Sequence, residues 1–176
     1  VQLHAHLGSA PAGRGLEAHK GGDLDAAEQN YRAAIARAPD HAVALHYLGV
    51  VLYQRNRLEE AMPLLDRATA LSPEEPEYHN NRGLALVALQ RESEAIAEYR
   101  RALALKPTHA GAWNNLGLVL HRMGRYEEAR EAYERALGAD PACAEAAYNL
   151  GSLHEDRDDL EGAIAQYRRA LAITPD

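Results

Sequence analysis

The chain's 176 residues are 47% hydrophobic and 26% charged, proportions ordinary for a soluble globular protein and sufficient for one domain. A formal net charge of −7, from 19 basic and 26 acidic residues, disfavours nucleic acid or an anionic membrane surface as the main partner. No run approaches the roughly 18 apolar residues of a membrane span. The lone Cys143 excludes an intramolecular disulfide, which fits a reducing, cytoplasmic setting.

Phe is absent while Ala, Leu and nine Tyr are abundant. Ala and Leu are strong helix formers, and runs rich in Val, Ile and Thr are missing, so the composition predicts an all-α fold. The chain opens Val1-Gln2-Leu3-His4-Ala5-His6, with neither an initiator methionine nor a basic-then-apolar leader. Residues 1–7 therefore read as the remnant of a preceding segment or repeat.

From residue 8 onward the sequence repeats every 34 residues, in units 8–41, 42–75, 76–109, 110–143 and 144–176. Prolines fall in register at Pro39, Pro73, Pro107, Pro141 and Pro175, and glycines at Gly15, Gly49, Gly83, Gly117 and Gly151. Alanines keep the same period from Ala27 and from Ala34, and a large residue keeps it at Tyr31, Leu65, Tyr99, Tyr133 and Tyr167. Self-similarity of this kind is the signature of a repeat architecture.

Each unit reads as two helices. The first carries the small Gly at its eighth position, where a partner helix must come close. A turn follows at Gly22, Asn56, Gln90, Gly124 and Asp158, mostly types that tolerate a left-handed helix end. The second helix opens on acids, Asp25, Glu59, Glu94, Glu127 and Glu161, which suit the positive end of its dipole. Its small Ala and large Tyr positions make holes and knobs for a neighbouring helix. The 34-spaced Pro ends it, and Asp40 and Thr108 just beyond are candidate N-caps for the next unit. Pro11, Gly13 and Arg14 fall in the first helix of unit one and predict a frayed, shortened or displaced segment.

Trp113-x2-Leu116-Gly117-x2-Leu120, followed by Ala129-x3-Tyr133 and Pro141, resembles the signature of the tetratricopeptide repeat. Unit three departs from it, with His79 and Arg82 at the Trp and Leu places, and unit one departs further. The resemblance covers nearly the whole chain. It implies a right-handed superhelical solenoid of antiparallel helix pairs, about five units long, that binds protein or peptide on the concave face lined by the first helices. By the same resemblance, positions two, five, six, nine, twelve and thirteen of each unit point inward.

Position six then reads Gly13, Tyr47, Asn81, Asn115, Asn149, and position five Ala12, His46, Asn80, Asn114, Tyr148. A carboxamide carries two donors and an acceptor, so a row of Asn can pair with both halves of successive peptide bonds. The row Asn81, Asn115, Asn149 is similar to the asparagine ladder in the tetratricopeptide region of O-linked N-acetylglucosamine transferases, which holds extended protein substrates. Tyr47, Tyr53, His46, His121, Arg122 and Tyr148 widen the expected surface with types favoured at interfaces. The clamp with which another branch of the family holds a free C-terminal carboxylate, built of Lys and Arg from successive first helices, is not matched, since Glu77 and Glu145 stand where basic residues are expected.

Catalytic and metal signatures are missing from the sequence: no HExxH, no Cys-x2-Cys and no Gly-rich phosphate loop. The expectation is a non-enzymatic, cofactor-free binding module. Two alternatives stay open. One is the substrate-recruiting region of a larger, glycosyltransferase-like enzyme whose catalytic domain is absent here. The other is a scaffold that self-associates through uncapped ends, where Ile164, Tyr167, Leu171 and Ile173 lack a following repeat.

Overall fold

The computed structural model describes residues 11–175. The expected remnant at 1–7, with His4 and His6, and the first three residues of unit one lie outside the described residues. Those described form ten α-helices: α1 (Pro11–Lys20), α2 (Leu24–Arg37), α3 (Ala42–Gln54), α4 (Leu58–Leu71), α5 (Pro76–Ala88), α6 (Glu92–Leu105), α7 (Ala110–Arg122), α8 (Tyr126–Ala139), α9 (Ala144–Glu155) and α10 (Leu160–Ile173). No strand occurs among them. No described helix is long and apolar enough to cross a membrane. The chain divides into two compact units, Val1–Gln90 with α1–α5 and Arg91–Asp176 with α6–α10.

In the first unit α1 pairs with α2 and α3 with α4, while α5 packs on α4 and touches α3. In the second unit α6 packs on α7, α7 pairs with α8, and α9 pairs with α10 while resting on α8 and α7. The expected hole-and-knob code explains each hairpin. A Cβ added to Gly15 would stand 2.7 Å from the Tyr31 ring, one on Gly49 2.7 Å from Leu65, one on Gly117 2.6 Å from Tyr133, and one on Gly151 2.8 Å from Tyr167. The knobs Tyr31, Leu65 and Tyr133 are completely buried or nearly so, against alanines such as Ala27, Ala61 and Ala129 that are themselves fully buried.

The turns behave as the sequence predicts. Gly22, Asn56, Gln90, Gly124 and Asp158 all have positive φ, between 56° and 79°, in the left-handed region that closes a helix. Each second helix stops two residues before its 34-spaced proline, at Arg37, Leu71, Leu105, Ala139 and Ile173. Acids fill the first turns of all five second helices. Asp23 and Asp159 cap α2 and α10 through their carboxylates. At the three equivalent places between them stand Arg57, Arg91 and Arg125, each folded in a two-pronged ion pair onto the Glu three residues on (2.7–2.8 Å).

One expectation needs correction. The N-caps of α3 and α7 are His41 and His109, not Asp40 and Thr108: the imidazole Nδ1 accepts from Ala44 N at 3.3 Å and from Ala112 N at 3.2 Å. Asp40 instead reaches across to Arg67 at 2.5 Å. In the first helix of unit one the described residues, Pro11–Lys20, are helical.

Candidate functional site

In the first unit the first helices α1, α3 and α5 share one face, and its residues interlock. Asn81 Nδ2 lies 3.1 Å from His46 Nε2, and Asn80 Nδ2 donates to Asn81 Oδ1 at 3.3 Å. His46 stacks on Tyr78 with ring centroids 4.1 Å apart, and its edge meets Tyr47 at 5.1 Å. Tyr47 stacks in turn on the buried knob Tyr31, and His19 touches both rings edge-on. His46 is 2% exposed. Burial pushes its pKa down to about 4, against a smaller upward pull from the Glu77 carboxylate, so the ring is neutral at pH 7.

This face carries a cavity of about 420 Å³ bordered by Leu16 and Lys20 of α1, Val43, His46 and Tyr47 of α3, and Glu77 and Tyr78 of α5, with Glu17 and Glu75 at its rim. A smaller one, about 160 Å³, opens between Val50, Tyr53, Gln54, Asn81 and Leu84. Tyr78 is held protonated well past neutrality: burial first, then the nearby Glu75 carboxylate, pushes its pKa up to about 12.

In the second unit Asn149 Nδ2 donates to Asn114 Oδ1 at 2.9 Å. Both border a groove of about 850 Å³ with Leu118, Glu145, Tyr148 and Leu171. Its wall is apolar and open: Tyr148 is 59% exposed and Leu171 60%. Tyr148 leans on Tyr167 at 5.4 Å, and the Tyr167 hydroxyl donates to Glu155 at 2.7 Å. His121 Nε2 sits 2.9 Å from Asp156, its ring edge-on to Tyr126 and Tyr133, and Arg122 pairs with Glu92 at 3.1 Å.

The structure therefore sorts the expected residues. Tyr47, Tyr53, Asn81, Asn114, Asn115 and Asn149 are half-buried on first-helix faces, while Tyr148 and Arg122 are exposed. His46 and Asn80 are buried and belong to the floor of this face. Nor do the carboxamides form a free row: Asn81 and Asn149 are each tied to the preceding repeat. The rule behind this is a spacing of 35 residues, one repeat plus one. It joins position five to position six of the next repeat (His46–Asn81, Asn114–Asn149) and position twelve to position thirteen (His19–Gln54, His121–Asp156). Residues at the site that lie off the expected inward positions are Glu75 and Tyr78 in the first unit and Tyr167 and Leu171 in the second; Leu16, Lys20, Val43 and Leu118 stand at expected inward positions. Among the described residues no group of three or more His, Cys, Asp or Glu is placed to hold a metal ion.

Comparison with known proteins agrees with the repeat geometry. Profiles of the tetratricopeptide repeat match residues 18–84, 63–110, 80–141 and 114–176. The TPR repeat-containing protein PA4667 of Pseudomonas aeruginosa is 42% identical over 64 residues, and the chain spans 11% of that curated relative's length against 36% of its own. Three solved structures are similar over most of the chain. MamA has a TM-score of 0.77 at 26% identity, covering 90% of this chain and 93% of its own. PilW, a widely conserved type IV pilus biogenesis factor, has a TM-score of 0.88 at 20% identity, covering 100% and 80%. YrrB, a TPR protein with an unusual peptide-binding site, has a TM-score of 0.70 at 24% identity, covering 92% and 84%. These likenesses identify the fold class, a helical-repeat solenoid.

Proposed function

The chain belongs to the tetratricopeptide-repeat family, and from that premise we propose that it is a protein-binding module whose first-helix faces hold an extended segment of a partner. Stacked helical repeats present such faces because each repeat contributes the same few positions to one surface. The observation that carries the reading is the make-up of the two cavities. Each sets an apolar and aromatic wall (Val43, Tyr47 and Tyr78; Leu118, Tyr148 and Leu171) beside polar groups projected from neighbouring first helices. An apolar wall supplies affinity, and polar groups set at intervals along it fix register on a backbone.

The carboxamides serve this role in pairs. Asn149 spends one N–H on Asn114, which leaves its second N–H and its carbonyl oxygen for a peptide group. Asn81 uses one N–H on His46 and accepts once from Asn80, so its second N–H and one acceptor site remain, held in fixed directions. Asn115, half-buried between them in sequence, is the third contact of the row. Pairing between repeats lowers the rotamer entropy that binding would otherwise cost.

Catalysis is not part of this reading. Burial raises the pKa of Cys143, the only thiol, which opposes a nucleophilic role. Among the described histidines, His41 and His109 serve as helix caps and His46 packs on Tyr78.

The test is a random dodecapeptide display selection on the immobilised chain and on the triple variant Asn81→Ala/Asn115→Ala/Asn149→Ala. Peptides retained by the wild type and lost by a variant of unchanged circular dichroism support the reading. Equal retention by both would remove the asparagines from the site.

A further inference from the structure

The cavity of the first unit has a sign. Among its bordering residues three carboxylates, Glu17, Glu75 and Glu77, face one ammonium, Lys20, and Lys20 lies 3.6 Å from Glu17. His46 does not offset the imbalance, since it is buried and neutral. The Glu77 carboxylate pulls upward on the His46 pKa, and the Glu75 carboxylate raises that of Tyr78.

His46 adds an unmet donor. Asn80 donates to Asn81 Oδ1, which turns the Asn81 amide nitrogen toward His46 Nε2. Nε2 therefore accepts, and the proton of the neutral ring sits on Nδ1. That Nδ1 is buried with no hydrogen-bond partner among the described residues. A buried donor left unmade costs free energy that an incoming acceptor recovers.

Given that the first-helix face is the binding face, we infer that this cavity takes a lysine or arginine side chain of the bound segment. The aliphatic stem of that side chain packs along Leu16, Val43 and Tyr47, and its cation lies between Glu75 and Glu77. Long basic side chains suit such a place because they bury their methylenes and keep the charge at a polar rim. The main-chain carbonyl beside the basic residue accepts from His46 Nδ1. The segment is thus extended and carries a basic residue at one fixed register.

The experiment is the dodecapeptide selection followed by titration of one recovered peptide. Wild-type selection is expected to enrich Lys or Arg at a single position. The variant Glu75→Gln/Glu77→Gln, altered only at exposed carboxylates, is expected to bind the recovered peptide roughly ten-fold more weakly and to lose the enrichment on reselection. Lys20→Met is expected to bind it several-fold more tightly, a gain that misfolding cannot produce. The wild-type affinity should also fall steeply between about 50 mM and about 300 mM NaCl, and the Gln variant's much less. Peptides enriched without a basic position, or bound equally by the Gln variant, overturn the cation assignment while leaving the binding face in place. Recovery of no peptide at all by the wild type overturns both.

Discussion

Replacing Gly117 by Ala separates the two forces that act on this fold. In a helix interior the change favours the helix by about 1 kcal/mol, because Gly loses more backbone freedom on folding. Here the new Cβ would stand 2.6 Å from Tyr133 Cε1 and 2.7 Å from Cδ1, far inside the ~3.5–4.0 Å of an ordinary carbon contact. Tyr133 is completely buried and cannot swing into solvent, so α7 and α8 must separate. Overpacking of this kind costs about 1–3 kcal/mol, occasionally more. At 2.6 Å the cost belongs in the upper half of that range, about 2–3 kcal/mol, so the expected net effect is a loss of about 1–2 kcal/mol, or roughly 2–8 °C in Tm for a chain of this size. Gly138→Ala is the control: it lies near the end of α8, and no atom stands within 4 Å of its would-be Cβ. It should gain about 0.5 kcal/mol. Urea unfolding followed by circular dichroism at constant slope measures both. Gly117→Ala matching or exceeding wild-type stability would refute the knob-and-hole account of the hairpins. Shrinking the knob by Tyr133→Val should make Gly117→Ala less costly, and additive effects would count against direct contact.

Two further perturbations test charge and burial. Glu28 is 4% exposed and is held by Arg32, Arg55 and Arg57, whereas the equivalent place in the next repeat is the buried Met62. Glu28→Ala should cost about 2 kcal/mol by thermal unfolding, and Glu28→Met should restore most of it; a Met variant as weak as the Ala variant contradicts this. His46 governs acid stability. Its folded pKa of about 4 lies below the unfolded value of 6.5, so the unfolded chain takes up the proton first as pH falls. Stability is therefore full above pH 6.5 and lost progressively down to pH 4, by about 3 kcal/mol in all. Carboxylates held down by ion pairing or capping, such as Glu60, Glu128 and Asp159, add their own loss only from the lower end of this window downward. His46→Asn, the residue found at that position in the next two repeats, should flatten the stability profile between pH 6.5 and 4.5, and an unchanged profile would clear His46 of the role.

Much of the architecture was legible because its determinants share one period. Gly117 and Tyr133 are hole and knob in one hairpin, Pro141 stops the second helix, and Gly124 turns the chain between the two, all within a single unit. The caps were misread by one residue: side-chain type favoured Asp40 and Thr108, but the imidazoles of His41 and His109 stand where an acceptor reaches the N3 amide. The site was only partly legible for a related reason. Reading one position down all repeats treats Asn81 and Asn149 as equivalents of each other. Their partners lie 35 residues back, at His46 and Asn114, a spacing that a search in steps of 34 passes over. The burial of Asn80 and His46, and the carboxylates around Tyr78, depend on how α3 and α5 pack and have no period to betray them.

The most direct test of the binding face is amide chemical-shift mapping by NMR on the full chain, titrated with a peptide recovered by selection. The account predicts shifts concentrated on first-helix residues, with Tyr47, Asn81, Asn114, Asn149 and Tyr148 among the largest, and little change at Arg67, Arg100 or Arg135 on the second helices. Shifts concentrated on those second-helix residues, with the first helices unmoved, would contradict it.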